Sequence, residues 1–175
     1  MNNETLNELI LFLSQSTSAA LNLTNDEIVK QGAKELLSKL ENVQGKEFST
    51  EPYPVKDLLG GVAETPYTFN FNKIAQQIKW RPSPRTDYDA EVIALSTANE
   101  MLKLNGLLAG LMFMSPNQIY PEHNHAPQEV YFVLSGSALW FYGGEEGYRR
   151  KQPGDIIYNH PHDMHGIKTE DESLL

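Results

Sequence analysis

The chain contains no cysteine. A disulfide framework, a thiolate zinc site, an iron–sulfur cluster and a cysteine nucleophile are thereby excluded. It also lacks any run approaching the roughly 18–20 apolar residues of a membrane-spanning helix. Positive charge is scarce: 14 Lys+Arg stand against 23 Asp+Glu, a formal charge of -9. Nucleic acids and anionic membranes both select a basic face, so neither is an expected partner. The start, Met1-Asn2-Asn3-Glu4, has no basic stretch ahead of an apolar one and no small-residue cleavage site. No signal peptide is therefore expected, and a cytoplasmic location is. What remains is 175 residues, 40% hydrophobic and 10% aromatic. That is one domain's worth of chain, with enough apolar material for a core and too much for disorder.

The first segment, residues 1–45, reads as a helical hairpin. Leu6, Leu9, Ile10 and Leu13 stand at i, i+3, i+4 and i+7, the stripe of an amphipathic helix over residues 4–22. Phe12 widens the stripe and Leu11 falls off it. Thr24 followed by Glu27 has the form of a capping box. The helix it would open carries Val29, Ala33, Leu36 and Leu40 and is expected to end near Gly45. Six acids against three lysines in this segment make a DNA-binding helix pair a poor reading. Packing or dimerisation is the expected role, which makes a homodimer compatible with the sequence.

Residues 46–104 are expected to form a loop-rich connection packing on the C-terminal part of the chain. Pro52, Pro54, Gly60, Gly61, Pro66, Pro82 and Pro84 break it. Phe71, Ile74, Ala75 and Ile78 predict one short helix, and residues 91–104 fit helix or strand equally. From residue 105 the pattern changes. Leu107–Met114, Glu129–Leu134, Ser137–Tyr142 and Asp155–Tyr158 are short β-rich runs, punctuated by Gly136, Gly143-Gly144, Gly147 and Pro153-Gly154. Such spacing predicts an antiparallel sandwich or barrel over residues 105–175.

All five histidines fall between positions 123 and 165. Histidine is the commonest metal ligand among side chains, so the clustering points to a site. In an extended segment His123 and His125 share a face, and Glu129 comes after a turn at Ala126-Pro127-Gln128. Glu129, Tyr131 and Val133 then share one strand face, with Val130, Phe132 and Leu134 on the other. A carboxylate and a phenol in succession on an inward face are costly unless a site uses them. A further ligand has to come from a later strand, where His160, His162 and His165 are the candidates. The set suits one divalent transition metal, Fe2+, Zn2+, Mn2+, Ni2+ or Co2+, without naming which.

These residues resemble the cupin family, whose first motif is G-x5-H-x-H-x3-4-E-x6-G. His123, His125, Glu129 and Gly136 fit it, with Asn117 in place of the leading glycine. In the second motif, G-x5-P-x-G-x2-H-x3-N, Gly154 and His165 match. His160, His162 and Thr169 fill the proline, glycine and asparagine slots. The resemblance implies a mainly β fold, a small antiparallel jelly-roll barrel preceded by the N-terminal helices. It implies His123, His125, Glu129 and His165 as metal ligands, with His160 and His162 at the rim. The substituted positions are turn residues, so they bear on loop shape more than on metal.

Fold alone leaves function open. Tyr131, two residues after Glu129, points by strand alternation toward the metal, where a cation favours the phenolate. Tyr120 precedes His123 by three and lines the same mouth. The run Tyr120, His123, His125, Glu129, Tyr131, Ser135, Gly136 resembles the cupin-type dimethylsulfoniopropionate lyases, which share an N-terminal helical portion and a C-terminal cupin barrel. The resemblance implies a β-elimination on a small carboxylate that is also a sulfonium zwitterion, giving dimethyl sulfide and acrylate. Tyr131 would be the base, with Tyr120 the next candidate. Tyr120, Trp140, Phe132 and Tyr142 are the aromatics available to a sulfonium, Phe132 being on the wrong face by parity. The alternatives are an iron(II) cupin dioxygenase with the same ligands, which needs no tyrosine base, and a non-catalytic cupin that binds a small ligand.

Overall fold

A computed structural model describes residues 3–43, 62–78, 80–83, 93–97, 102, 104–144 and 146–175. The prolines and glycines at 52, 54, 60, 61 and 84, and Gly45, lie outside the described residues. Two helices, α1 (Asn3–Leu23) and α2 (Glu27–Glu41), form the hairpin. The α1 stripe buries Leu9, Phe12, Leu13 and Ala20 while Leu11, off the stripe, is 47% exposed. Asp26 caps α2, in place of the Thr24/Glu27 box. Its Oδ1 accepts the N–H groups of Ile28 and Val29 at 2.8 and 3.2 Å, while Thr24 Oγ1 accepts the Asp26 N–H and Glu27 pairs with Lys30. A carboxylate at this position satisfies two orphan donors and also meets the positive end of the helix dipole, which a hydroxyl does not. Among the described residues no helix is long and apolar enough to cross a membrane.

The short helix α3 (Phe71–Ile74) buries Phe71 and Ile74, and Ala75 and Ile78 just beyond it are also buried. The Phe71 ring meets those of Phe12 and Trp80 at 5.9 and 6.5 Å. Trp80 Nε1 donates to the Ala75 carbonyl at 2.8 Å, so the indole is buried without an orphaned donor. The segment around α3 is strapped to the barrel. Thr65 Oγ1 donates to the Leu134 carbonyl at 2.6 Å and Ser135 Oγ to the Ala63 carbonyl at 2.8 Å.

The strands of the described residues are all antiparallel. β1 (Arg81–Pro82), β2 (Ile93–Thr97) and β3 (Gly110–Met114) form one sheet in that order. The ambiguous 91–104 stretch thus supplies a strand. Pairing to β3 resolves what local pattern left open, because the ladder satisfies backbone groups that propensity does not address. β4 (Ile119–His123), β9 (His165–Thr169), β6 (Ala138–Phe141) and β7 (Arg149–Lys151) form a second sheet in the order β4-β9-β6-β7. β5 (Glu129–Phe132) pairs with β8 (Ile156–Asn159). Leu174 and Leu175 bond back to Met114, Leu134 and Ser135, tying the sheets together.

Two cores result, divided by the period-2 alternation of the strands. The inner one holds Met114, Tyr120, Val133, Ala138, Trp140, Ile157, Ile167 and Leu174, with Tyr131 packed against it. The outer one lies between barrel and helices and contains Leu9, Phe12, Phe71, Trp80, Phe113 and Leu134, with Phe132 against it. Tyr131 and Phe132, consecutive in β5, therefore serve different cores. Phe132 meets Tyr67 at 5.2 Å and lies off the inner face, as its parity requires. Where Gly136 turns the chain, with φ 74°, an added Cβ would lie 1.8 Å from the Ser173 carbonyl oxygen. The cupin-motif departures have a physical account as well. Asn117 and His162, both in glycine slots, adopt φ 59° and 66°, so the left-handed turns are kept without glycine. Thr169, in the asparagine slot, donates to the Ser115 carbonyl and accepts the Gln118 N–H, holding the entry to β4.

Candidate metal centre

Three histidines converge at one end of the barrel. His123 closes β4, His125 lies in the loop beyond it, and His165 opens β9 directly opposite His123 in the ladder. One ring nitrogen from each lies within 4.8 Å of the other two. The rings of His123 and His165 are 4.3 Å apart and those of His125 and His165 4.9 Å. His165 is buried and the other two partly so.

The orientation of each imidazole is set by the backbone. His123 Nδ1 lies 2.8 Å from the Pro121 carbonyl, His125 Nδ1 2.8 Å from the Pro127 carbonyl and His165 Nδ1 2.8 Å from the Asp163 carbonyl. A carbonyl only accepts, so each Nδ1 carries the hydrogen. In the neutral ring the Nε2 atom is then left with its lone pair. A hydrogen-bonded second nitrogen is the usual signature of a metal-ligating histidine. Glu129, at the start of β5, brings Oε2 within 3.2 Å of His125 Nε2 and 3.3 Å of His165 Nε2. Imidazole lone pairs and a carboxylate oxygen gathered this closely repel one another unless positive charge sits among them. A divalent cation with nitrogen and oxygen donors fits that set, and none of these residues needs to change its role to hold one.

Burial by itself would raise the Glu129 pKa. With the facing imidazoles protonated in place of a bound cation, hydrogen bonds from His165 and Tyr131 and the charges of His125 and His165 outweigh burial and hold the carboxyl below the usual range. Tyr131 thus places its hydroxyl on the Glu129 carboxylate. Its ring lies 5.0 Å from that of Trp140. Tyr120 is buried, its ring 4.9 Å from His123 and edge-on to it, so it lines the interior beneath the histidines. Tyr142 is covered by the Arg149 guanidinium at 4.9 Å and the Lys151 ammonium at 5.2 Å.

The six candidate residues, His123, His125, Glu129, His165, Tyr131 and Tyr120, come together in this one region. His160 and His162 stand outside it. Both are exposed, the His160 ring packs on Tyr158 at 4.6 Å, and the His162 backbone N–H donates to the His125 carbonyl at 2.8 Å. His162 therefore braces the ligand loop through its main chain. Sequence reasoning missed Asn159, the last residue of β8. It is cross-strand partner to Glu129 and 1% exposed. The signal available was parity with Ile157, but strand pairing was needed to see which residue it faces.

Comparison with known proteins bears on the fold and on the family the chain resembles. Residues 92–175, just under half of the chain, match the dimethylsulfoniopropionate lyase family. A curated relative, dimethylsulfoniopropionate lyase DddQ of Ruegeria pomeroyi, is 31% identical over 71 residues. That alignment covers 41% of this chain and 35% of the relative, so the match spans about a third of the relative's length. The crystal structure of the Ruegeria pomeroyi DddQ lyase superposes with a TM-score of 0.67 and 21% identity, over 90% of this chain and 88% of that one. A solved structure from a study of the lyases RdDddP and RnDddQII gives a TM-score of 0.61 and 21% identity, covering 90% of both chains. With its helical hairpin, its antiparallel jelly roll and its match over residues 92–175, the chain is a cupin-fold protein similar to the dimethylsulfoniopropionate lyases.

Proposed function

We propose that the protein is a carbon–sulfur lyase that cleaves dimethylsulfoniopropionate to dimethyl sulfide and acrylate. The observation that carries this reading is Tyr131. Its hydroxyl bonds to Glu129 at the rim of a three-histidine cluster, inside a segment that matches this lyase family. His123, His125, Glu129 and His165 are the residues that would hold the metal. A divalent ion bound there supplies Lewis acidity toward the substrate carboxylate and favours negative charge developing next to it.

The remaining work falls to the protein's own groups. Tyr131, as phenolate, takes the proton from the α-carbon onto its hydroxyl oxygen. The electron pair left behind forms the double bond between the α- and β-carbons. The β-carbon–sulfur bond breaks with its pair going to sulfur, and neutral dimethyl sulfide departs. Tyr120 and Trp140 wall the interior, keeping water from the reacting carbons and offering aromatic faces to the sulfonium. The outer core supports β5 from behind through Phe132 and Leu134, so that Tyr131 is held on a rigid strand.

The test is anaerobic incubation of the protein, loaded in turn with Fe2+, Zn2+, Mn2+, Ni2+ and Co2+, with dimethylsulfoniopropionate. Dimethyl sulfide in the headspace and acrylate in solution should appear in equal amounts. Absence of both with every metal overturns the reading. Turnover that requires oxygen instead points to the dioxygenase alternative.

A further inference from the structure

Among the described residues, the wall of the barrel beside the histidines includes a polar side chain that the elimination chemistry leaves unused. Asn159 is 1% exposed, and neither its Oδ1 nor its Nδ2 has a hydrogen-bond partner among the described residues. Its place is fixed by the β5–β8 ladder, in which Glu129 pairs with Asn159 and Tyr131 with Ile157. Directly opposed residues of an antiparallel pair project from the same face. Ile157 is wholly buried in the inner core, so Asn159, two residues on, faces inward as well. It stands beside Glu129 at the level of the histidines, with Tyr131 one residue pair deeper.

A buried amide with neither donor nor acceptor engaged is costly, and an apolar side chain of like volume would avoid that cost. Such a group is explained when a ligand completes it. The amide N–H groups suit an acceptor, and an uncharged donor next to a cation site suits an anion small enough to reach both. Strand geometry adds direction: consecutive inward residues on one strand are about 6.6 Å apart. A carboxylate held at the Glu129–Asn159 level thus leaves the adjoining carbon toward the Tyr131 level.

We propose that Asn159 is a substrate-binding residue that donates an amide N–H to the carboxylate of a short-chain acid and thereby turns its α-carbon toward Tyr131. The identity of the acid rests on the lyase reading; the carboxylate subsite does not. Asn159→Leu removes both polar atoms at nearly constant volume, and Asn159→Ala serves as a second variant should leucine misfold.

The probe is propionate, titrated calorimetrically into zinc-loaded parent and variants, with zinc content and thermal stability measured on the same samples. The expected result is full zinc content, stability equal to or above the parent, and propionate binding weaker by about 10- to 100-fold, the range for losing one hydrogen bond to a charged group. With dimethylsulfoniopropionate, KM should rise and kcat fall together, as orientation is lost. Unchanged propionate affinity in both variants overturns the proposal. So does loss of zinc or of stability as the main effect, which would make Asn159 structural, and so does failure of the parent to bind propionate. A parent that fails to release dimethyl sulfide, while Asn159→Leu still weakens propionate binding, overturns the lyase reading and leaves the subsite standing.

Discussion

Replacing Tyr131 by Phe removes one oxygen atom and nothing else. The ring should remain 5.0 Å from Trp140 and keep its packing on the inner core. Two things are lost. The first is the hydrogen bond to Glu129. A bond to a charged group is worth about 1.5–3 kcal/mol. Glu129 keeps its contacts with His125 and His165, so the net cost should sit at the low end of that range. In a chain of this size about 1 kcal/mol moves Tm by about 2–4 °C. The variant should therefore melt a few degrees lower and still fold. The second loss is the proton acceptor. General-base catalysis contributes about 10²–10⁴-fold, so kcat should fall by at least about 100-fold. At about 1.36 kcal/mol per tenfold that is about 2.7 kcal/mol of transition-state stabilisation. Metal content should match the parent, and KM should change far less than kcat, because the oxygen is not expected to hold the carboxylate. The assay is initial-rate acrylate release over a range of substrate concentrations, with metal analysis on the same preparation. A Tyr131→Phe enzyme with kcat within about threefold of the parent refutes the reasoning. Tyr120→Phe, prepared in parallel, then tests the remaining phenol of the inner wall.

Three other outcomes are expected. His165→Ala should lose most bound metal by elemental analysis while His160→Ala retains it, since His165 is buried within the cluster and His160 is exposed outside it; the reverse result would show the second motif to be misaligned. Gly136→Ala should be far more destabilising than Gly143→Ala in urea denaturation. Both positions have positive φ, but the added Cβ at Gly136 would lie 1.8 Å from a backbone oxygen and that at Gly143 meets nothing within 4 Å. The Gly143 change should cost only the left-handed penalty of about 1–2 kcal/mol, and equal costs at the two sites would refute the argument. Tyr148 should titrate late: burial, the hydrogen bond to Glu122 and the Glu122 charge push it up from 10.0 to about 12. Because the folded pKa is raised, its contribution to stability is complete below about pH 10. It is lost as pH rises through about 12. Tyr148→Phe should delete a component near pH 12 from the ultraviolet phenolate titration, and a titration unchanged by the substitution would disprove the assignment.

The sequence by itself determined the local features. The 3.6-residue stripe at Leu9, Phe12 and Leu13 gave one face of α1 to the core because helical geometry follows from spacing alone. Alternation sent Tyr131 and Phe132 to opposite sides of β5 for the same kind of reason. The spacing of His123, His125 and Glu129 reflects a strand, a turn and the next strand, all of which are short-range. Tertiary structure decided what depends on partners distant in the chain. The 93–97 strand exists because β3 completes its hydrogen bonds. Asp26 supplanted Thr24 because the helix began two residues later than the capping pattern suggested. His165 was separated from His160 and His162 by the β4–β9 register, which sets it against His123, 42 residues earlier. Asn159 became visible only through its pairing with Glu129. A ligand set or a subsite is a matter of which faces a barrel turns inward at one level, and that is fixed by cross-strand register, a long-range property that periodicity along one segment does not contain.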